Sequence, residues 1–147
     1  MLSVASSIVP YMTTDDLKRI YQELADAVNR RDLGALDQIF ALDLINHGAD
    51  PNEPHGAYHF KQAFATFIAA CPDFQVTVED TIVAGDKLVV RWIDTGTHTG
   101  APLFGVPATG KQIILSGIDI LRIRDGKIAE RWAESDKLHL METLGLI

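Results

Sequence analysis

Between Cys71 and Phe74 the hydrophobic period of this chain switches from that of helices to that of strands, and no other feature limits the fold as strongly. Upstream, Leu17, Ile20, Tyr21, Leu24, Ala27 and Val28 recur at helical intervals. They follow the capping-box spacing of Thr13 and Asp16 and predict a helix over residues 14–31. Asp32 is placed to cap a shorter helix with Leu33, Leu36, Ile39 and Phe40 on one side, and residues 43–54, dense in turn formers, read as a loop. From Gly56 the spacing of Phe60, Ala63, Phe64, Phe67, Ile68 and Cys71 is helical again. Pro72, which lacks an amide hydrogen, stops it.

Downstream, Phe74, Val76 and Val78 alternate with Gln75, Thr77 and Glu79, the pattern of a half-buried strand. Ala84-Gly85-Asp86 turns the chain into residues 88–93, apolar on both faces except at Arg91. Residues 112–123 form a further long strand with Ser116, Gly117 and Asp119 inside it. Such runs predict a sheet covered on both sides, by helices on one and a partner subunit on the other. Arg124-Asp125-Gly126-Lys127 is a hairpin signal; a bulged turn there pairs Ile123 with Lys127, setting Asp119 opposite Arg131 and Gly117 opposite Ala133. The last strand ends near Ser135, where Asp136 can cap a closing helix. Helices first and antiparallel strands afterwards define one α+β domain over residues 13–147, preceded by a loose arm over residues 1–12.

A length of 147 residues with 47% hydrophobic and 22% charged side chains is enough for a sizeable core. A formal charge of −7 with dispersed basic residues disfavours nucleic acid and anionic membrane surfaces as partners. The first ten residues lack the basic region and apolar length of a signal peptide, and no later run approaches the ~18 apolar residues of a bilayer span, so a cytoplasmic protein is expected. The single cysteine, Cys71, closes an apolar helical face and reads as core. Gly96-Thr97-His98-Thr99-Gly100 lacks the lysine and helix of a phosphate-binding loop, and there is no Gly-x-Ser-x-Gly elbow.

Asp119 is the most informative residue, because an unpaired carboxylate between Ile118 and Ile120 in mid-strand is costly to bury. It therefore has a partner, a water or a chemical role. A general base tuned by a semi-apolar cavity and an ion pair with Arg131 or Arg91 both fit. Arg91, inside an apolar strand, suits an oxyanion, a substrate carbonyl or an acid needing a counter-charge. His47 in the loop and His98 at a strand end can reach one cleft from different edges, but their spacing carries no metal signature and no metal site is expected. His55, His59 and His139 read as exposed. Tyr21, Phe60, Phe64, Phe67, Phe74, Trp92 and Trp132 suit either the wall of a pocket for a flat apolar ligand or the core.

Taken together, Gly85-Asp86-Lys87-Leu88-Val89-Val90-Arg91-Trp92, Gly96-Thr97-His98-Thr99-Gly100, Phe104-Gly105-Val106-Pro107-Ala108-Thr109-Gly110-Lys111, Ile118-Asp119-Ile120 and Asp125-Gly126-Lys127-Ile128-Ala129-Glu130-Arg131-Trp132 resemble the SnoaL-like polyketide cyclases of the nuclear transport factor 2-like superfamily. The resemblance runs from the first helix to Leu144-Gly145-Leu146. It implies a cone-like roll in which a curved antiparallel sheet wraps a long helix and encloses a pocket, in a homodimer formed through the sheet. It also implies an enzyme without metal or organic cofactor that abstracts a proton next to a carbonyl of a hydrophobic, polyketide- or steroid-like ligand, as a cyclase or an isomerase. Two alternatives share the fold: a non-catalytic small-ligand-binding or dimerisation module, and an epoxide hydrolase, which requires an Asp-Arg-Asp set around one water.

The family's catalytic aspartate usually follows the Trp132 position, where this chain has Ala133. Asp119 matches a pocket position that assists that aspartate, and so becomes the expected base, with Arg131 and Arg91 setting its pKa or holding the oxyanion. Glu134 is the weaker substitute, since strand alternation points it away from the face of Ala133. His47 matches a position at the pocket mouth and joins the catalytic set. His98, in a recurring family motif, joins Tyr21, Phe60, Phe64, Phe67 and Phe74 as expected substrate-binding residues.

Overall fold

The structure, a computed structural model, describes residues 11–54 and 56–147. The expected arm over residues 1–12 lies outside these apart from Tyr11 and Met12, as does His55. Helix α1 (Thr14–Asn29) starts at the capping box: the Asp16 amide donates to Thr13 Oγ1 at 3.1 Å and the Thr13 amide to Asp16 Oδ2 at 2.9 Å. It ends before Arg31, which adopts a φ of 67°, while the Asp32 amide reaches back to the Ala27 carbonyl at 2.9 Å. The predicted stripe is buried, with Leu24 and Val28 at its centre.

The next segment departs from expectation. Leu33–Gln38 forms a 3-10 turn with no side-chain bond from Asp32, and the chain then enters strand β1 (Phe40–Asn46), so Phe40 is not helical and the loop begins only at His47. β1 depends on a partner far along the chain: it lies parallel to β5 (Lys127–Ser135), pairing Phe40 with Ile128 and Asn46 with Arg131. Local turn formers therefore outweighed a pairing that sequence could not show. Phe40 is buried and stacks on Phe60 of helix α2 (Tyr58–Ala70) at 4.2 Å between ring centroids. As expected, α2 stops at Cys71 and Pro72, with Cys71 fully buried and its thiol pKa pushed up to about 11 by desolvation and the neighbouring Asp73.

Strands β2 (Gln75–Ala84), β3 (Lys87–Thr97) and β4 (Gln112–Arg124) complete an open five-stranded sheet in the order β1-β5-β4-β3-β2. The sheet is mixed: β1 against β5 is parallel and every other pair antiparallel, which corrects the all-antiparallel expectation. A short helix α3 (Lys137–Thr143), capped by Asp136 at 3.1 Å from the His139 amide, closes the chain over β4.

The β4–β5 hairpin also differs from the predicted register. Asp125 and Gly126 both take positive φ, 53° and 76°, so the loop has two residues and Arg124 pairs with Lys127. The bulge instead falls inside β5, where Ala129 is skipped between Ile123–Ile128 and Arg122–Glu130. Asp119 consequently opposes Ala133, Gly117 opposes Ser135, and Arg131 opposes Leu121.

Alternation then assigns the faces. Val90, Trp92 and Asp94 of β3 and Leu121 and Asp119 of β4 are buried inward, against α1, whereas Arg91, Ile118 and Ile120 face outward and are exposed. Gly117 is required by close packing, since a Cβ there would meet Trp92 Cζ2 at 2.4 Å and the Glu134 carbonyl at 2.8 Å. The missing side chain lets the Trp92 ring lie across β4. Gly117→Ala is expected to destabilise the protein by about 1–3 kcal/mol, read as a lower urea midpoint together with altered tryptophan fluorescence, because the indole must move.

Candidate active site

The alternation that buries Asp119 also gathers a row of polar groups across the inner face of the sheet. Arg131 Nε on β5 donates to Asp119 Oδ2 at 2.7 Å, and Trp92 Nε1 on β3 donates to Asp119 Oδ1 at 2.9 Å. On the other side, Arg131 Nη1 donates to Asn46 Oδ1 on β1 at 3.2 Å, and the guanidinium stands 4.9 Å above the centre of the Phe60 ring. Asp119 is 1% exposed, so the pair is a desolvated one. Arg131 reaches Asp119 diagonally from beside Leu121 rather than from directly opposite.

Two further groups face this row. Tyr21 projects from α1, and burial first, then the charges of Asp119 and Asp94, push its phenol well above its usual pKa. Asp94, one inward position beyond Trp92, is 8% exposed; desolvation and then the charge of Asp119 raise its carboxyl well above the usual carboxylate range. Within the row, Asn46 Nδ2, like Asp94 Oδ1, is buried without a hydrogen-bond partner. Neither Asp94 nor Asn46 is singled out by the sequence patterns. Asp94 had a signal that could have found it, since it continues the inward alternation of Val90 and Trp92. Asn46 had none, because it reads as part of a loop until β1 is seen to pair.

Beside Asn46 a cavity of about 340 Å³ opens between the end of β1, the loop after it and the start of α2; Asn46, His47, Asp50, Glu53, Gly56 and His59 are among its lining. The loop packs down on the buried row, since a Cβ on Gly48 would lie 3.0 Å from Arg131 Nη1. His59 is half-buried rather than exposed, with Nδ1 2.9 Å from Glu53 Oε2, because the loop folds back over it.

Most of the remaining expected residues lie away from Asp119. His47 stacks on Trp132 at 5.1 Å on the outer face, with Nε2 2.8 Å from Glu130 Oε2; Arg122 Nε donates to Glu130 Oε1 at 3.0 Å. The His47 bond, then that of Arg122, hold the Glu130 carboxyl below its usual range. Arg91 is exposed on the same outer face, across the sheet from Asp119, because odd positions of β3 point outward. His98 is fully buried at the far end of β3. Its Nδ1 accepts from the Thr109 amide at 3.3 Å and its Nε2 lies 3.1 Å from the Ala101 carbonyl, so the ring clamps the loop between β3 and β4. Phe64 and Phe67 pack against Phe74, away from the charged row, while Phe60 lies beneath Arg131. An Asp-Arg-Asp set is not closed, since the carboxylate that Arg131 bonds is that of Asp119 and not of Asp94. Among the described residues no group of three His, Cys, Asp or Glu side chains is placed to hold a metal ion, and no helix is long and apolar enough to cross a membrane.

A helix-wrapped, open mixed sheet with a buried carboxylate–guanidinium row on its inner face defines an α+β domain of the nuclear transport factor 2-like type. The chain belongs to the SnoaL-like polyketide cyclase family, whose sequence profile matches residues 18–144. TsrD from Streptomyces laurentii superposes with a TM-score of 0.82 at 27% identity, over 93% of this chain and 100% of that one. IdmH from Streptomyces antibioticus, assigned as a polyketide cyclase, gives 0.73 at 29% identity over 88% and 98% of the two chains. A protein from Bacillus cereus with the same assignment gives 0.75 at 28% identity over 96% and 90%. No curated protein matches the chain.

Arg131→Leu leaves Asp119 buried without its counter-charge and is expected to cost about 3–5 kcal/mol in denaturant unfolding. Adding Asp119→Asn to it should recover a measurable part of that loss; a double variant as unstable as the sum of the singles would contradict the pairing.

Proposed function

We propose that this protein catalyses proton abstraction next to a carbonyl of a hydrophobic, polyketide- or steroid-like substrate, without a cofactor, in a cyclisation or isomerisation. The observation that carries the reading is the buried Asn46–Arg131–Asp119–Trp92 row, bordered by the orphaned polar atoms Asn46 Nδ2 and Asp94 Oδ1. An unsatisfied donor beside a desolvated ion pair is costly to maintain, and a ligand carbonyl can accept from Asn46 Nδ2. The Asp119 carboxylate is the base: a positioned carboxylate suffices when neighbouring carbonyls acidify the C–H bond, and Arg131 keeps negative charge tolerable inside the cone. Of this row the cavity touches Asn46, and His47 and His59 stand on its wall.

A second reading, a small-ligand-binding module without turnover, is supported by Ala133, which sits opposite Asp119 and brings no second carboxylate. Thermal unfolding against aromatic polyketide esters, polycyclic ketones and steroids identifies the ligand class, because a ligand of the folded state stabilises it by RT ln(1+[L]/Kd). With that ligand, Asp119→Asn should lower kcat by at least ~10²; unchanged kcat with retained binding selects the binding module.

The outer sheet face is the proposed contact with a second copy of the chain. Ile118 and Ile120 are 49% and 39% exposed there, beside Trp132, in strands apolar enough to be covered on both faces. Ile118→Asp with Ile120→Asp should convert a dimer to monomer in analytical ultracentrifugation without lowering the helical circular dichroism signal.

A further inference from the structure

The buried row makes no use of Glu53 and His59, which stand together on the wall of the loop cavity with His59 Nδ1 2.9 Å from Glu53 Oε2. A carboxylate offers only acceptors, so Nδ1–H donates this bond, and in the neutral imidazole Nε2 then carries the lone pair. Among the described residues no group bonds that Nε2. Both partners are held in place. The Glu53 amide donates to the Asp50 carbonyl at 3.0 Å and the Asn52 amide to Asp50 Oδ1 at 2.9 Å, which folds the loop back toward α2. The His59 ring stands edge-on to Phe60 at 5.3 Å, and Phe60 is itself stacked on Phe40 and lies beneath Arg131. A ring fixed in this way is a preorganised acceptor.

Asn46, on the same cavity, supplies the complementary group. Its Oδ1 accepts from the Gly48 amide at 3.0 Å and from Arg131 Nη1 at 3.2 Å, so the network sets the orientation of the amide and leaves Nδ2 as a donor. Leu44, Ile45, Pro51 and Pro54 make much of the wall apolar. Its described lining includes Asp50 and Glu53 but no lysine or arginine, which disfavours an anion. At the packing density of protein interiors, a cavity of about 340 Å³ encloses roughly 250 Å³ of ligand atoms, the size of a bicyclic or tricyclic ring system.

We infer that the loop cavity binds a neutral compound carrying both a hydroxyl and a carbonyl on an apolar ring system, the hydroxyl donating to His59 Nε2 and the carbonyl oxygen accepting from Asn46 Nδ2. Glu53 is the positioning residue that keeps Nε2 an acceptor. The inference rests on the proposed function for the carbonyl at Asn46, adds the hydroxyl as a second recognition element and does not involve Asp119.

Two measurements on the wild-type protein test it. Long-range proton–nitrogen NMR spectra of the histidine side chains should show His59 with its hydrogen on Nδ1. Fluorescence titration should show 6-acetyl-2-naphthol binding about 5-fold more tightly than its methyl ether, which has no hydrogen to donate. His59→Phe should bring the two affinities together, and Glu53→Ala should weaken the Nδ1–H signature and the preference in step. A His59 ring with its hydrogen on Nε2, equal affinities in the wild type, no binding of either compound, or a preference that survives His59→Phe overturns the site. The two readings fail separately. Equal affinities with a kcat loss in Asp119→Asn remove the hydroxyl site and leave proton abstraction, whereas a clear preference with unchanged kcat in Asp119→Asn does the reverse.

Discussion

The ion pair between Arg131 and Asp119 is the interaction on which the inner face depends. Taking both charges out of water costs several kcal/mol each, and the cost is offset only when geometry and further hydrogen bonds are good. Here the geometry is good: Asp119 accepts at 2.7 Å from Arg131 and at 2.9 Å from Trp92, and the remaining reach of the guanidinium ends on Asn46 and the face of Phe60. The row draws on β1, β5, β4 and β3 at once, so the parallel docking of β1 and the bulge in β5 are conditions for its closure as much as for the sheet itself.

Strand parity divides the polar residues of this chain into two groups with different surroundings. Asp94, Trp92, Asp119 and Arg131 share the desolvated inner face, where charges are coupled strongly and burial shifts proton affinity. Arg91, Arg122, Glu130, Trp132 and His47 share the outer face, where His47, Glu130 and Arg122 form a chain of hydrogen bonds. One residue of register would have exchanged the two sets. Ala133 is a consequence of the same parity: on the inner face opposite Asp119 it adds no acid, and among the described residues the other inward carboxyl near the row is that of Asp94.

Much of this was legible in the residues. The capping box at Thr13 and Asp16, the buried stripe of α1, the stop at Pro72, the alternation of β2 and the cap at Asp136 are local signals, and local signals survive folding. The unusual position of Asp119 was legible too, because a carboxylate between two isoleucines in a strand requires a partner wherever the strand is placed. The family resemblance carried the helix-on-sheet architecture.

What the sequence by itself determined, then, was the inventory: which of the longer segments are helix or strand, where the period switches, and that Asp119 must be compensated. Only the tertiary structure decided that Phe40–Asn46 is a strand, that Asp119 meets Arg131 on the diagonal, that His47 and Arg91 face away from it, and that Asp94 Oδ1 is left without a partner. Each of these depends on a register or pairing between residues far apart in the chain. A turn of two residues rather than three, or one bulge at Ala129, changes which side chains meet without changing any local pattern that could be read beforehand.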